Sequence, residues 1–284
     1  METSVNNLVS VIIPCYNDYK YIQAAIDSIN NQTYSVFEII IIDDGSAEET
    51  KKVLKSLEQE NLTILFQENM GPSAARNNGI KHAAGDLILT LDADDYFDSS
   101  FVEKAVLILN QQEDIGLVTC NGYVFNDEGI ITEIISKEGN ADDFLFENTA
   151  IGNSLFRKKC WSEIGGFDEN MRKGYEDWDF HISLLKTGWK IKVINEHLFY
   201  YRNKPNSRNK NANKVRYELI NYLLIKHRDL SVQNFETLLS NFLVEFNRLS
   251  SRNDIIKKSV DYRIGNKILK PLRFMKKIFR SNHS

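Results

Sequence analysis

The first 98 residues alternate short apolar runs with segments of helical periodicity. The runs are Val9 to Pro14, Phe37 to Ile42, Leu62 to Phe66 and Leu87 to Leu91. Between them apolar residues recur every three or four positions, as from Tyr21 to Ile29. This alternation is typical of successive βαβ units, in which helices bury a parallel sheet. We therefore expect an α/β fold of the nucleotide-binding type, although the sheet alone does not identify a ligand.

The alternation of apolar runs and helical segments becomes less regular after Ser99. We expect a helix to about Gln111, strands near 115–125, a linker over 127–148, a helix over 174–187 and extended chain over 189–201. After Asn209 the composition turns helical, with no further glycine until Gly265. The sequence therefore predicts a domain boundary near residue 210.

Composition indicates a soluble protein with a substantial core, since 42% of the 284 residues are hydrophobic. No stretch of about 18 apolar residues marks a spanning helix, and Met1 to Leu8 lacks the pattern of a secretory signal. Three widely spaced cysteines suit reduced thiols better than disulfides or a zinc site. We therefore expect a cytoplasmic location, with peripheral attachment to the inner face of the cell membrane as an option.

Two of the apolar runs end directly in carboxylates. Asp43 and Asp44 follow the second run, and Asp92, Asp94 and Asp95 follow the fourth. The carboxyl ends of parallel strands meet at one edge of an open sheet, where such folds bind ligands. Hard carboxylate oxygens suit Mg²⁺ or Mn²⁺, so we expect a metal and phosphate site there. The structural alternative is that these residues only cap the helices that follow.

A third acidic group lies in the segment GYEDWDF at 174–180. Glu176 and Asp177 could simply complement a helix dipole. Their aromatic neighbours Tyr175 and Trp178 would surround them with apolar surface, which raises a carboxylate pKa towards values useful for proton abstraction. General-base chemistry is therefore the functional interpretation of this segment.

Two segments place positive charge near these carboxylates. Arg76 lies in the loop and helix start at 69–79, where it could face a ligand or form a salt bridge with one of the aspartates. The second segment, at 201–210, contains Arg202, Lys204, Ser207 and Arg208. Such side chains can hold a diphosphate by charge-assisted hydrogen bonds, although a solvated basic loop has the same composition.

Six motifs occur along the chain in order. They are VSVIIPCYN at 9–17, DDGS at 43–46, the glycine-bounded loop at 71–79, DADD at 92–95, GGFD at 165–168 and EDW at 176–178. Together they resemble the family 2 inverting glycosyltransferases with the GT-A fold, over about residues 8 to 210. The resemblance implies a GT-A domain over 1–210, with a donor half at about 1–98 and an acceptor half at about 99–210. A helical extension would follow over 211–284.

The same resemblance implies roles for individual residues. Asp177 would be the catalytic base, with Glu176 beside it, and Asp94 would hold a divalent metal, Mn²⁺ or Mg²⁺. Asp92 would face the ribose. The implied contacts with the nucleotide sugar are Pro14, Tyr16, Asp44, Arg76, Asp92 and Ala93. The implied contacts with the diphosphate are Arg202, Lys204, Ser207 and Arg208.

One departure from the family pattern concerns the metal. Many relatives carry a histidine in the loop that matches 201–207, where it can join the metal, but this chain places Lys204 there. A protonated lysine cannot ligate a cation. We therefore expect metal coordination by Asp94, donor phosphates and water, with Lys204 or a loop arginine neutralising the leaving diphosphate.

The implied reaction is inverting transfer of a hexose or N-acetylhexosamine from a nucleotide diphosphate donor, with a uridine diphosphate sugar favoured. The acceptor would be a hydroxyl of a glycan or lipid-linked oligosaccharide in cell-surface polysaccharide synthesis. A metal-dependent nucleotidyltransferase also uses clustered aspartates, but its usual glycine-rich and basic phosphate loop is missing after the first run. A nucleotide-sugar-binding protein without catalysis remains the other alternative. No nucleic-acid partner is expected.

The C-terminal tail differs from the rest of the chain in charge. Six of the 35 basic residues and none of the 39 acidic residues follow Ile264, so the tail carries +6 and the remainder −10. Apolar residues recur there at helical spacing: Ile268, Leu272, Met275, Ile278 and Phe279. Such a segment could bind an anionic membrane, or it could pack on helices within 212–249. Those helices could also form a homodimer interface.

Overall fold

The computed structural model describes residues 7–57, 60–205, 207–267 and 269. Within them, the strands are β1 (Val9–Cys15), β2 (Phe37–Asp44), β3 (Leu62–Gln67), β4 (Leu87–Thr90), β5 (Tyr96–Phe97), β6 (Ile115–Asn126), β7 (Gly129–Ile134), β8 (Leu155–Arg157) and β9 (Lys190–Arg202). The helices of the first 200 residues are α1 (Ile22–Asn30), α2 (Glu48–Lys55), α3 (Pro72–His82), α4 (Phe101–Gln111), α5 (Ala141–Phe146), α6 (Lys158–Ile164) and α7 (Glu176–Lys186). The later helices are α8 (Arg208–Lys214), α9 (Arg216–Lys226), α10 (Arg228–Gln233) and α11 (Phe235–Lys258).

The first half is a parallel sheet with strand order β3, β2, β1, β4. In β1, Val9 is in register with Phe37 on one side and with Leu87 on the other. Ile12 and Ile13, whose side chains point to opposite faces, are both fully buried. Strands covered on both faces appear in a sequence as continuous apolar runs. The prediction of an α/β fold built on such a sheet is confirmed.

The second half extends the same sheet with mixed strand directions. β8 pairs antiparallel with both β4 and β6, and β9 runs parallel to β6. β5 and β7 pair antiparallel with β9 and β6. The second half is therefore continuous with the parallel sheet of the first half, and it brings the end of β9 towards the end of β4.

Helices cover both faces of the sheet. The apolar face of α1, formed by Ile22, Ala25, Ile26 and Ile29, is buried in the same cluster as alternate residues of β1. Burial of each large apolar side chain contributes roughly 1.5–3 kcal/mol to folding. On the opposite face α3 packs so closely that a Cβ atom on Gly79 would lie 2.6 Å from a side-chain carbon of Ile42. This close packing fixes the start of α3 beside the strand ends.

The linker predicted over 127–148 is wrong, because this segment contains β7 and α5. Ile130 and Ile131 of β7 are adjacent and both exposed, so no buried face marks the strand in the sequence. The strand depends on its pairing with β6. Helix α5 has a capping box between Asn140 and Asp143, a short-range signal that the prediction did not use.

The C-terminal region is helical, as predicted, and contains α8 to α11. The chain divides into two compact units between Leu230 and Ser231, whereas the boundary near residue 210 stays a prediction. Most of the basic amphipathic tail, including Ile268 and Leu272 to Phe279, lies outside the described residues. In the described part of the chain, no helix combines the length and apolarity needed to cross a membrane.

Candidate active site

A cleft of about 430 Å³ opens where β1, β2 and β4 end. A second cavity of about 360 Å³ shares Arg76, Asp92 and Arg208 with the cleft and is lined in addition by Glu176 and Asp177. The other predicted site residues that line the cleft are Pro14, Tyr16, Asp44, Ala93, Asp94, Lys204 and Ser207. The structure thus brings together all predicted site residues except Arg202.

The loops that follow β1 and β2 are tied to each other at one end of the cleft. Asn17 adopts a left-handed conformation with φ of 60°. Its backbone N–H donates to Oγ of Ser46, and its side-chain oxygen accepts a hydrogen bond of 2.8 Å from the N–H of Ala47. Tyr16, immediately before this turn, is 52% exposed. An exposed aromatic ring on a fixed loop is suited to contact a planar base.

Asp44 holds the loop that leads into α3. Its carboxylate accepts hydrogen bonds from the N–H groups of Met70 and Gly71 at 2.8 and 2.9 Å, and from the side chain of Gln67. The loop comes close because residue 45 is glycine: a Cβ there would lie 2.7 Å from the backbone nitrogen of Asn69. Asp44 therefore lines the cleft while its carboxylate accepts hydrogen bonds from the loop before α3.

Arg76 joins the two cavities through a buried ion network. Its guanidinium contacts Asp92 at 2.6 Å and Glu176 at 2.8 Å. Glu176 also accepts two hydrogen bonds from Arg208, one of them at 2.7 Å. Burial alone would raise the pKa of Glu176, but Arg208 and Arg76 outweigh burial and lower it to about 2. Glu176 is therefore an ionised carboxylate between two cations, which suits a structural role better than proton transfer.

The backbone before α7 places Asp177 at the second cavity. Gly174 and Tyr175 both have positive φ, at 132° and 66°. A non-glycine residue in this conformation carries strain and persists where its surroundings impose it. Asp177 packs against Gly152, where a Cβ would lie 2.8 Å from the Asp177 Cβ. The absence of a side chain at position 152 is thus a condition for the position of Asp177.

Asp177 has the electrostatics expected of a base. Burial, together with the neighbouring charge of Glu176, raises its pKa to about 6. Its Oδ2 accepts a hydrogen bond of 2.9 Å from the side-chain amide of Asn148, and the Asn148 oxygen lies 3.0 Å from Nδ1 of His181. Burial lowers the pKa of His181 to about 3, so its ring is neutral at physiological pH. A neutral ring protonated at Nδ1 would donate to Asn148 and orient its amide towards Asp177.

Lys204 is the cation that faces Asp94. Its ammonium contacts Asp94 at 2.7 Å and Asp18 at 2.6 Å. In the described parts of the chain, no group of three or more His, Cys, Asp or Glu side chains could hold a metal ion by itself. Two carboxylates that converge on one cation are nevertheless hard donors of the type that Mg²⁺ and Mn²⁺ prefer. The donor set therefore fits a divalent cation only if Lys204 releases Asp94.

The remaining basic residues of the 201–210 segment differ in placement. The guanidinium of Arg202 lies between the rings of Tyr21 and Phe125, 4.6 and 4.5 Å from their centroids, and donates to the backbone oxygen of Asp94. The structure does not bring it into the cleft. Arg208, by contrast, lines both cavities, and its buried Nε has no hydrogen-bond partner among the described residues.

The sequence prediction missed several residues that shape the site, among them Asp18, Asn148 and Gly152. Asp18 faces Lys204 across 186 positions of sequence, a contact that no local pattern could reveal. Asn148 lies in the segment predicted as a linker. Gly152 lies in a Gly-Asn-Ser sequence that resembles an ordinary turn. Gly152 and Asn148 lie shortly before β8 in the sequence. A prediction of β8 could have drawn attention to them, but this strand was not predicted either.

Residues 10–178 match the model of the family described as "Glycosyl transferase family 2", which covers more than half of the chain. The chain belongs to glycosyl transferase family 2. The match contains β1 from Ser10 onwards, β2 to β4, the acidic cluster after β4 and Asp177. This family 2 member carries its predicted nucleotide-sugar contacts, Asp94 and Asp177 within the matched region, whereas its predicted diphosphate contacts at 202–208 lie beyond it.

Curated relatives are similar over most of this family 2 chain. "Uncharacterized glycosyltransferase EpsJ" of Bacillus subtilis is 28% identical over 216 residues, which are 70% of this chain and 62% of EpsJ. Chondroitin synthase of Pasteurella multocida is 29% identical over 279 residues, which are 95% of this chain but 28% of the synthase. The chain thus spans less than two thirds of either relative.

Solved structures share the fold. The structure of S. aureus TarS residues 1–349 in complex with UDP-GlcNAc superposes with a TM-score of 0.60 at 21% identity, over 71% of this chain and 60% of that chain. The complex of the same protein with UDP gives a TM-score of 0.57 at 22% identity, over 69% and 61% of the two chains. The chain therefore shares its fold with S. aureus TarS.

Proposed function

We propose that the protein is an inverting glycosyltransferase that moves a sugar from a nucleotide diphosphate donor to a hydroxyl group. The observation that carries this proposal is the position of Asp177. A carboxylate with a pKa raised to about 6 lines the cavity beside the nucleotide-type cleft. A base there can deprotonate an acceptor while the donor is held next to it.

The cleft would hold the nucleotide. Tyr16 and Pro14 would contact the base, with Asp44 at the base and ribose, while Asp92, Ala93 and Arg76 would line the path to the sugar. A uridine diphosphate sugar is the proposed donor, supported by the UDP and UDP-GlcNAc that TarS binds in the same fold. A hexose or N-acetylhexosamine is the proposed sugar.

The leaving diphosphate would be held by Lys204, Ser207 and Arg208. The free Nε of Arg208 supports this role, because a buried donor without a partner loses hydrogen-bond energy until a ligand supplies an acceptor. Arg202, held between aromatic rings, would act only through the backbone of Asp94. A divalent cation, Mn²⁺ or Mg²⁺, would be held by Asp94, and when bound it would neutralise charge on the diphosphate as a Lewis acid.

The chemical step would be a single in-line displacement. Asp177 accepts the proton of the acceptor hydroxyl as its oxygen forms a bond with the anomeric carbon. The bond between that carbon and the diphosphate oxygen breaks, and its electron pair leaves with the nucleoside diphosphate. Inversion at the anomeric carbon follows from attack opposite the leaving group. One positioned base contributes about 10²- to 10⁴-fold to such a step.

The proposed acceptor is a glycan or lipid-linked oligosaccharide in the synthesis of a surface polysaccharide. Support comes from the similarity to a chondroitin synthase, whose name describes a polysaccharide product. We propose a cytoplasmic location at the inner face of the membrane, with the basic tail as the attachment segment. A lipid-linked acceptor would be reached there.

Product analysis tests the function. The protein is incubated with UDP-sugars and a panel of oligosaccharide acceptors, and the products are analysed by mass spectrometry and proton NMR. We expect nucleoside diphosphate and an inverted glycoside, both lost in Asp177→Asn. Pyrophosphate as the product would indicate nucleotidyl transfer, and donor binding without turnover on any acceptor would indicate a binding protein.

A further inference from the structure

Helix α11 carries a stripe of exposed apolar side chains. Along its 24 residues these side chains follow one another at steps of four, three, four, three and seven positions. Each of them is between 45% and 65% exposed. The members of this apolar stripe are Phe235, Leu239, Phe242, Phe246, Leu249 and Ile256.

The spacing is that of a coiled coil. Steps of three and four alternate to give a repeat of 3.5 residues, the period at which two helices keep one seam in contact. Leu239 and Phe246 take the first core position of successive heptads, and Phe242, Leu249 and Ile256 take the second. Position 253, an asparagine, interrupts the stripe once. A helix of 24 residues is about 36 Å long, enough for three heptads.

We propose that α11 pairs antiparallel with α11 of a second copy of this chain. The charges beside the stripe select this arrangement. In a symmetric antiparallel pair whose core layers join Leu239 to Ile256 and Phe246 to Leu249, Glu245 faces Arg252 of the partner subunit. Glu236 likewise faces Lys257 of the partner subunit. Twofold symmetry repeats both contacts, so four pairs of opposite charge flank the seam.

Other arrangements bring like charges together. In a parallel pair Arg252 would lie beside Lys257 of the partner subunit. Moving the antiparallel register by one heptad places either Glu245 or Arg252 opposite the same residue of the partner subunit. Charge complementarity therefore favours one orientation and one register, which is the role that flanking charges have in coiled coils. Among the residues that the structure describes, the ion pair of Glu245 is an exposed contact of 3.4 Å with Arg248 within its own helix.

The dimer does not depend on the transferase activity proposed above, because all the residues that form it belong to the unit that begins at Ser231. The apolar stripe of α11 contributes no residue to either cavity. Each outcome of the experiment below can therefore be separated from a failure of the proposed activity.

The mass of the full-length chain in solution tests the proposal. Light scattering after size exclusion should give twice the 32.8 kDa of one chain across the low micromolar range. Phe242→Glu with Phe246→Glu should give the monomer mass. Val244→Glu is the matched control, because Val244 is 67% exposed on the same helix but lies outside the stripe, and it should remain dimeric. A monomer mass for the unsubstituted chain would overturn the proposal. This holds also if the stripe proves to be covered by the chain's own tail, or if it binds added anionic vesicles.

Charge exchange and cross-linking test the orientation. Glu245→Arg should weaken the dimer, and Glu245→Arg combined with Arg252→Glu should restore it, although both variants lose the contact with Arg248. Glu245→Cys mixed with Arg252→Cys should form a disulfide-linked dimer, whereas Glu245→Cys alone should not. The native cysteines are buried and do not compete. Cross-linking of Glu245→Cys to itself, or failure of the double exchange to restore the dimer, would overturn the antiparallel arrangement.

Discussion

The side-chain amide of Asn148 donates a hydrogen bond to Oδ2 of Asp177 at a distance of 2.9 Å. A donor to a carboxylate stabilises its charged form and fixes the oxygen that it contacts. In the proposed reaction, the hydrogen bond to Oδ2 would leave Oδ1 of Asp177 to accept the proton of the acceptor hydroxyl. Asn148 is thus a positioning residue for the proposed base.

Replacement of Asn148 by alanine should lower kcat by about tenfold, the equivalent of one hydrogen bond to a charged group, with little change in UDP affinity. The acidic limb of the pH profile should also move to higher pH, because the ionised carboxylate loses a donor. Steady-state kinetics across pH and calorimetric UDP titration measure both effects. An unchanged limb with reduced kcat would assign Asn148 a role in folding alone.

The pH dependence of the unsubstituted protein should report Asp177. A base must be ionised, so kcat/KM should be half-maximal near pH 6, level off above it and fall about tenfold per pH unit well below it. His181, with its pKa lowered to about 3, does not titrate in this range. Asp177→Asn should abolish the limb together with the activity. A limb near the ordinary carboxyl value of 3.8 would contradict the assignment.

Removal of the Glu176 charge should destabilise the fold. Glu176→Gln leaves Arg76 and Arg208 with less compensating charge, and breaking a buried ion pair costs about 3 kcal/mol. Glu48→Gln, which removes an exposed contact of 3.6 Å with Lys51, should cost less than about 0.5 kcal/mol. Urea denaturation measures both free energies of unfolding.

The difference in free energy of unfolding between the unsubstituted protein and Glu176→Gln should depend on pH. Because the pKa of Glu176 is lowered from 4.5 to about 2, its stabilisation is present above pH 4.5 and disappears as the pH falls towards 2. The free energies of unfolding of the unsubstituted protein and Glu176→Gln should therefore converge in acid. Equal stability at neutral pH would show that the neutral amide introduced by Glu176→Gln satisfies both arginines.

Removal of the Lys204 ammonium should increase metal affinity. Without it, Asp94 and Asp18 lose their counter-charge, and a pair of charges 4 Å apart interacts by about 4 kcal/mol near a protein surface. Lys204→Ala should bind Mn²⁺ at least about tenfold more tightly in spin-resonance titrations, since 1.4 kcal/mol is a factor of ten. Lys104→Ala, which removes a surface contact with Glu196, should leave Mn²⁺ affinity unchanged. Unchanged affinity in Lys204→Ala would remove Asp94 as a ligand.

The sequence predicted the features that local pattern determines. The run before Asp92 is apolar because both faces of β4 are buried, so strand and acidic cluster could be located together. Contacts between distant segments were beyond such reasoning. The pairing of Lys204 with Asp18 and the burial of Arg202 between Tyr21 and Phe125 depend on how the end of β9 meets the loops after β1. Asn148 was missed because its segment has no periodicity.

Gly152 limits how this chain can be diversified towards new acceptors. A Cβ atom at that position would lie 2.8 Å from the Cβ of Asp177, so alanine there displaces the proposed base without changing any charge. Libraries directed at the acceptor side therefore lose their active members wherever position 152 is randomised. Val124 and Ile134 line the same cavity, and there we expect variation of the proposed acceptor preference to be better tolerated.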